Sequence, residues 1–224
     1  MKKLLALLGA SWMCVGVSGA ADTIARWTYE NQSLTVNVTN QSVTGLLPEL
    51  GTGVASGWHA SAATVFSSPV GNGSAESFSA NTWDRGDYYQ FELSTAGYTD
   101  ISVSWDQTRS GTGPSNFDFA WSVNGTDWTI ALDNYTVFNT TWNGTTPSLT
   151  NTYAVNLSLE PALNNAPNVY FRLICDQTGV AVAGTSRHDN FTVSGTAVPE
   201  PGVASLGGLA LLGWLAWSRL RRRS

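Results

Sequence analysis

Between Asp22 and Val198 this chain has no lysine and only 5 arginines against 15 acidic residues, a net charge of −10. A surface of that sign repels phosphate backbones and anionic lipid headgroups, which disfavours nucleic-acid binding, and it attracts cations. Cysteine is as scarce. Of the two present, Cys14 lies in an N-terminal leader, and only Cys175 remains in the body. Without an intrachain disulfide an exported domain rests on its core, with or without help from a metal. No window between 22 and 198 carries a capped helical apolar period, and no repeat recurs at fixed spacing. Nor does any serine sit in a nucleophile-elbow glycine pattern.

What the chain does have at its start is Met1-Lys2-Lys3, the apolar run Leu4 to Ala10, and the small residues Ser18-Gly19-Ala20-Ala21. A basic start, an apolar centre too short to span a bilayer, and small residues at the end make a secretory signal peptide, residues 1–21. Cleavage by signal peptidase fits after Ala20 or after Ala21. Trp12 and Met13, placed before Cys14, do not suit lipid attachment there.

The body, 22–198, alternates large or β-branched residues with polar ones. Runs at 24–30, 34–38, 88–93, 101–105, 117–123, 153–159, 169–175 and 191–193 read as strands, and Asn124-Gly125 marks a tight hairpin turn into a partner starting near Trp128. The stretches 51–73 and 140–151 read as long loops. In 169–175 the odd positions share a face, which makes Cys175 a small apolar core residue. Short strands between Gly, Asn and Pro turns predict an all-β fold, an antiparallel β-sandwich of jelly-roll type, flanked by the signal helix and a C-terminal membrane helix.

The tail, 199–224, has three parts: Pro199-Glu200-Pro201, an uncharged segment from Val203 to Trp217, and a cluster with Arg219, Arg221, Arg222 and Arg223. The prolines hold an extended, accessible peptide. As a helix the uncharged segment is roughly 22 Å long, short of the about 30 Å of a bilayer core, with Trp and snorkelling Arg extending its reach. The arginines favour the cytoplasmic side and leave the body outside. In order and spacing the three parts resemble the PEP-CTERM sorting signal of exported proteins in exopolysaccharide-producing Gram-negative bacteria. The resemblance implies that an exosortase recognises Pro199, Glu200 and Pro201, while the helix and arginines hold the chain in the inner membrane during transit. Cell surface or extracellular matrix would be the destination. Most of the body also resembles the β-rich domains that precede such tails, for instance in Gly86-Asp87-Tyr88-Tyr89 and Arg187-His188-Asp189-Asn190-Phe191, but that likeness implies no established activity.

For chemistry, the body offers His59 and His188, expected in loops or at strand edges, and the carboxylates Asp84, Asp87, Glu92, Asp100, Asp106 and Asp118, expected as solvated turn or strand-end residues. Neither set forms a recognisable catalytic constellation, so no enzyme is expected. Glu30 ends the first strand and Asp189 opens the last, and jelly-roll carbohydrate-binding modules often carry a structural calcium between those strands, so this pair is the candidate for one. Seven tryptophans remain in the body. Trp105 and Trp121 face the core by alternation; Trp58, Trp83 and Trp142 fall in expected loops and are the candidate sugar-stacking residues. The composition suits an extracellular β-protein with many turns, and the resemblance implies a structural or adhesive role in an exopolysaccharide layer. A carbohydrate-binding module is the alternative, and a glycoside-active enzyme the third reading.

Overall fold

The computed structural model describes residues 20–31 and 38–199. The signal segment up to residue 19, the expected strand at 34–37, and the tail from Glu200, including Pro201 and the arginine cluster, lie outside the described residues. Among the described residues no helix is long and apolar enough to cross a membrane.

The strands in chain order are β1 (Asp22–Trp27), β2 (Val38–Thr39), β3 (Ser42–Leu46), β4 (Val54–Trp58), β5 (Val65–Ser67), β6 (Phe78–Ala80), β7 (Tyr88–Leu93), β8 (Tyr98–Arg109), β9 (Asn116–Ser122), β10 (Thr129–Thr136), β11 (Thr152–Asn156), β12 (Val169–Cys175) and β13 (Ser186–Ala197). One turn of 3-10 helix, Pro161–Leu163, separates β11 from β12. All pairings are antiparallel. One sheet runs β11-β8-β13-β6-β5-β2, with β1 also on β13, and the other runs β10-β9-β12-β7-β4-β3. The all-β expectation therefore holds, as two antiparallel sheets face to face.

Alternation explains which side chains meet between the sheets. Val169, Phe171, Leu173 and Cys175 of β12 are buried, while Tyr170, Arg172 and Ile174 point the other way. Phe91 of β7 stacks on Phe191 of β13 with ring centroids 3.4 Å apart, and Trp27 meets both rings edge-on. Trp105 of β8 stacks on Phe119 of β9 at 4.9 Å. Each such ring is worth about 1.5–3 kcal/mol in water-removed area, which is how a disulfide-free sandwich holds together. A polar link also crosses the core. The buried Gln107 accepts from Tyr135 Oη at 2.6 Å and from Trp105 Nε1 at 3.2 Å, and donates to Ser186 Oγ at 3.1 Å.

Two expectations are corrected. The stretch 51–73 contains β4 and β5, whose Ser-, Gly- and Ala-rich sequences carry weak strand signals and are strands because β7 and β6 pair with them. The run 117–123 ends a residue early: β9 stops at Ser122, the Asn124-Gly125 turn takes over, and Val123 is exposed. The stretch 140–151 is a loop, as expected.

Candidate functional site

The outward face of the second sheet carries a row of stacked rings and one guanidinium. Trp58 and Tyr88 are register partners on β4 and β7, so their side chains rise together, and the rings stack at 5.7 Å and 22°. On β12 the Arg172 guanidinium lies 3.7 Å over Tyr88 and 3.9 Å over Trp128, which precedes β10. Gln90, paired with Arg172, fixes that fork by accepting from its Nε at 2.8 Å. The row thus runs Trp58, Tyr88, Arg172, Trp128 across the sheet. Partial burial costs the guanidinium some hydration and lowers its pKa, while the rings return part of that by cation–π attraction. Beside it Tyr170 and Glu92, partners in register, add a hydroxyl and a carboxylate. Trp58 at the end of the row is 36% exposed. The arrangement can present aromatic surface to a ligand, with hydrogen-bonding groups alongside.

The sequence-derived site residues fare differently. Trp58 is exposed, though on a strand rather than in a loop. Trp83 and Trp142 do lie in loops, but their side chains are buried, and the expectation that they offer rings to solvent is corrected. Trp83 is drawn in between His59 and Phe117 and donates to Ala80 O at 2.8 Å. Trp142 is pressed inward as the 140–151 loop folds back over the first sheet. The three candidates therefore do not form one surface. Tyr88, Trp128 and Arg172 were not singled out from sequence, although period-2 alternation put Tyr170, Arg172 and Ile174 opposite the core face of β12.

Glu30 and Asp189 meet the same turn, residues 71–76, through separate bonds. Glu30 Oε1 accepts from the Glu76 N–H at 2.9 Å. Asp189 Oδ2 accepts from the Asn72 N–H at 2.8 Å and from Ser74 Oγ at 2.6 Å, and its Oδ1 accepts from the Asn190 N–H at 2.7 Å. Burial pushes the Asp189 carboxyl up to about 6 despite those donors. Across the ladder its register partner Asp106 takes Asn72 Nδ2 at 2.9 Å, Asn190 Nδ2 at 2.8 Å and Thr152 Oγ1 at 2.6 Å. Among the described residues no group of three or more His, Cys, Asp or Glu is arranged to hold a metal. Three donors meet the Asp189 carboxylate, and Glu30 is turned to the Glu76 N–H, so both groups are engaged with the 71–76 turn.

His59 lies in the loop after β4, as expected, whereas His188 lies within β13, a strand paired on both sides. Both are buried, an outcome that period-2 reasoning could not anticipate for His59 and that the bulge between Asp189 and Thr192 obscures for His188. His188 sits among Tyr29, Phe78, Tyr89 and Phe91, and burial lowers its pKa to about 3. His59 Nδ1 is hydrogen-bonded to Thr82 O at 3.3 Å and also lies 3.3 Å from Asp87 Oδ2; burial lowers its pKa to about 4, so at neutral pH the imidazole is uncharged and the contact with Asp87 is not an ion pair. Asp87 and Asp106, expected to be solvated, are buried and committed to backbone and side-chain donors, Asp87 accepting from the N–H groups of Ala60 and Asp84. Buried and internally bonded, these groups are placed to hold loops.

No protein-family model matches the chain, and no characterised protein matches it in sequence. Among solved structures, the CBM22-1 and GH10 modules of Clostridium thermocellum endo-1,4-beta-D-xylanase 10B, complexed with xylohexaose, align over 80% of this chain and 30% of theirs, with 13% identity and a TM-score of 0.47. The CBM22 tandem of a Paenibacillus barcinonensis protein aligns over 82% of this chain and 50% of its own, with 11% identity and a TM-score of 0.45. The K2 cleaved adhesin domain of Lys-gingipain aligns over 78% of this chain and 97% of its own, with 12% identity and a TM-score of 0.42. The chain thus spans half or less of the two structures that contain CBM22 modules. At these values the likeness assigns no residue a role.

Proposed function

We propose that the outward face of the β10-β9-β12-β7-β4-β3 sheet binds polysaccharide, and that the chain is an exported, non-catalytic sandwich of jelly-roll type that holds glycan at the cell surface or in an extracellular matrix. The observation that carries this reading is Trp58, a solvent-facing ring at the end of a rigid aromatic row. Pyranose rings have apolar faces that gain dispersion and hydrophobic energy on a flat ring, while their hydroxyls need polar partners. Gln90, Glu92, Tyr170 and Arg172 supply both donors and acceptors beside it. The row is held on strands and stacked before any ligand arrives, so little ordering cost falls on binding. Adhesion within an exopolysaccharide layer is then a consequence of glycan capture.

In the same reading, residues 199–224 deliver the domain, through an exosortase acting at Pro199, Glu200 and Pro201. What supports this is the order of motif, apolar segment and arginine cluster in the sequence.

Two measurements test the proposal. Affinity electrophoresis in gels containing neutral polysaccharides should retard the protein, and Trp58→Ala should abolish the retardation while leaving the melting temperature within about 2 °C, as expected for an exposed position. Retardation unchanged by Trp58→Ala would move the site off this face. The intact mass of the protein from its native cells reads delivery. A chain starting near Ala21 or Asp22 and ending near Pro199 to Pro201 supports sorting, whereas one retaining Arg221 to Ser224, found only in membranes, overturns it.

A further inference from the structure

On the other sheet, a cleft of about 330 Å³ opens between β5, β6, β13 and the 139–141 and 185 loops. Two of the body's five arginines, Arg109 and Arg187, line it, and no carboxylate does. In a body with 15 acidic residues that is an unusual concentration of positive charge.

The two arginines differ. Arg109 is spent internally: its Nε donates to Val137 O at 2.9 Å and its Nη1 to Ser110 O, Gly111 O and Gly113 O at 3.1–3.4 Å. The Arg187 guanidinium makes neither a hydrogen bond nor an ion pair with any described residue. Its guanidinium lies 5.2 Å over the ring of the buried Trp142, and partial burial strips some of its hydration. Asp189, two residues along the same strand, is the carboxylate that acts on Arg187; it lies beyond ion-pair distance, its Oδ2 taken up by the 71–76 turn and its Oδ1 by the Asn190 N–H. A half-buried cation without a partner is costly unless something pairs with it. Around it the side chains of Ser67, Asn139, Thr141 and Thr185 likewise have no hydrogen-bond partner among the described residues. The cleft therefore holds a planar five-donor fork with neutral hydroxyl and amide groups beside it.

We infer that this cleft binds a carboxylate-bearing sugar, a hexuronate unit of an acidic polysaccharide, with the carboxylate on the Arg187 guanidinium and the ring hydroxyls on the Ser, Thr and Asn side chains. Guanidinium and carboxylate match as a two-bond fork. The volume falls in the range of pockets that hold small organic ligands and would leave a bare inorganic anion loosely held. The site lies on the opposite sheet from Trp58, so it goes beyond the platform and stands or falls independently of it.

Isothermal titration of the whole protein with oligogalacturonate, and with the same oligomer methyl-esterified, tests the assignment. The acid should bind and the ester should not. Arg187→Gln should weaken binding by about tenfold or more, and Arg187→Lys should restore only part of it. Thr141→Glu, at an exposed position of the rim, sets a like charge against the ligand without touching the core, and should abolish binding even if Arg187→Gln does not fold. Trp58→Ala should leave this titration unchanged. Equal binding of acid and ester, wild-type affinity in folded Arg187→Gln, or displacement by phosphate at equal concentration would each overturn the assignment.

Discussion

Asn72 donates its side-chain amide to the carboxylate of Asp106 across 2.9 Å, and both residues are buried. From the same residue the backbone N–H reaches Asp189, while the side-chain amide takes Ser148 N–H on its oxygen and gives a second N–H to Ser148 O, at 2.7 and 2.8 Å. One asparagine thereby ties two strands of the first sheet to the loop that covers them. Asn72→Ala leaves Asp106 one donor short and two Ser148 backbone groups unpaired. Leaving buried partners unsatisfied costs about 1–3 kcal/mol each before relaxation, so the expected loss is about 2–4 kcal/mol, or a melting temperature lower by roughly 5–15 °C. Thermal unfolding followed by circular dichroism measures it; an unchanged midpoint would mean that the 140–151 loop is held by something else.

Stability should depend on pH through the buried histidines. The folded pKa values of His188 and His59 are about 3 and about 4, against 6.5 in an unfolded chain, so below 6.5 the unfolded state binds more protons. Their contribution is complete above pH 6.5 and is lost as pH falls toward the folded values, at up to about 1.4 kcal/mol per unit for each. Asp189 works in the opposite direction. Its folded pKa of about 6 exceeds the ordinary 3.8, so its contribution is present below 3.8 and lost as pH rises through 6. Two histidines against one carboxylate leave a net of about one proton, a slope of about 1.4 kcal/mol per unit that is reached near pH 6 and holds down to about pH 5. His188→Phe should flatten the fall of urea-unfolding free energy between pH 6.5 and 5 by about 1.4 kcal/mol per unit; an identical slope in the variant refutes the account.

Cys175 should be chemically silent. It is buried in the core face of β12, and burial pushes its thiol up to about 12, so almost no thiolate exists at pH 8. A disulfide reagent added to protein lacking the leader should titrate no thiol until denaturant is present, and one thereafter. Rapid reaction in the folded state would show that β12 opens.

Calcium should not change the melting temperature relative to a chelated sample, because donors from Asn72, Ser74 and Asn190 occupy the Asp189 oxygens. A rise of several degrees with calcium would mean that the 71–76 turn rearranges around an ion held by Asp189 and Glu30.

The longer strands were legible because alternation is strong where one face is buried, as in Tyr88–Leu93 and Val169–Cys175. Short strands such as Phe78–Ala80, all three of whose residues are buried, have no alternation to read, and this one is a strand because β13 and β5 lie on either side of it. The site was half legible for a related reason. Exposure of Trp58 against burial of Trp83 and Trp142 depends on which way a loop folds back, and nothing in their neighbours states that. Some close approaches are likewise silent in sequence. A Cβ on Gly113 would overlap the carbonyl oxygen of Thr185, and one on Gly184 that of Thr112, so two loops touch backbone to backbone there. Each sits among many glycines that carry no such constraint.

The pairing of β1 with β13 sets how the molecule meets mechanical load. Asp22 faces Gly195, so the two strands end side by side, and tension between those ends would open the ladder one hydrogen bond at a time. Tension between a ligand on the opposite sheet and the chain beyond Ala197 is different. It runs along β13, which is bonded to β8 on one side and to β6 and β1 on the other, and to slide that strand many bonds must break together. A domain held by its C-terminal end while gripping polymer would thus be loaded along a strand bonded on both sides.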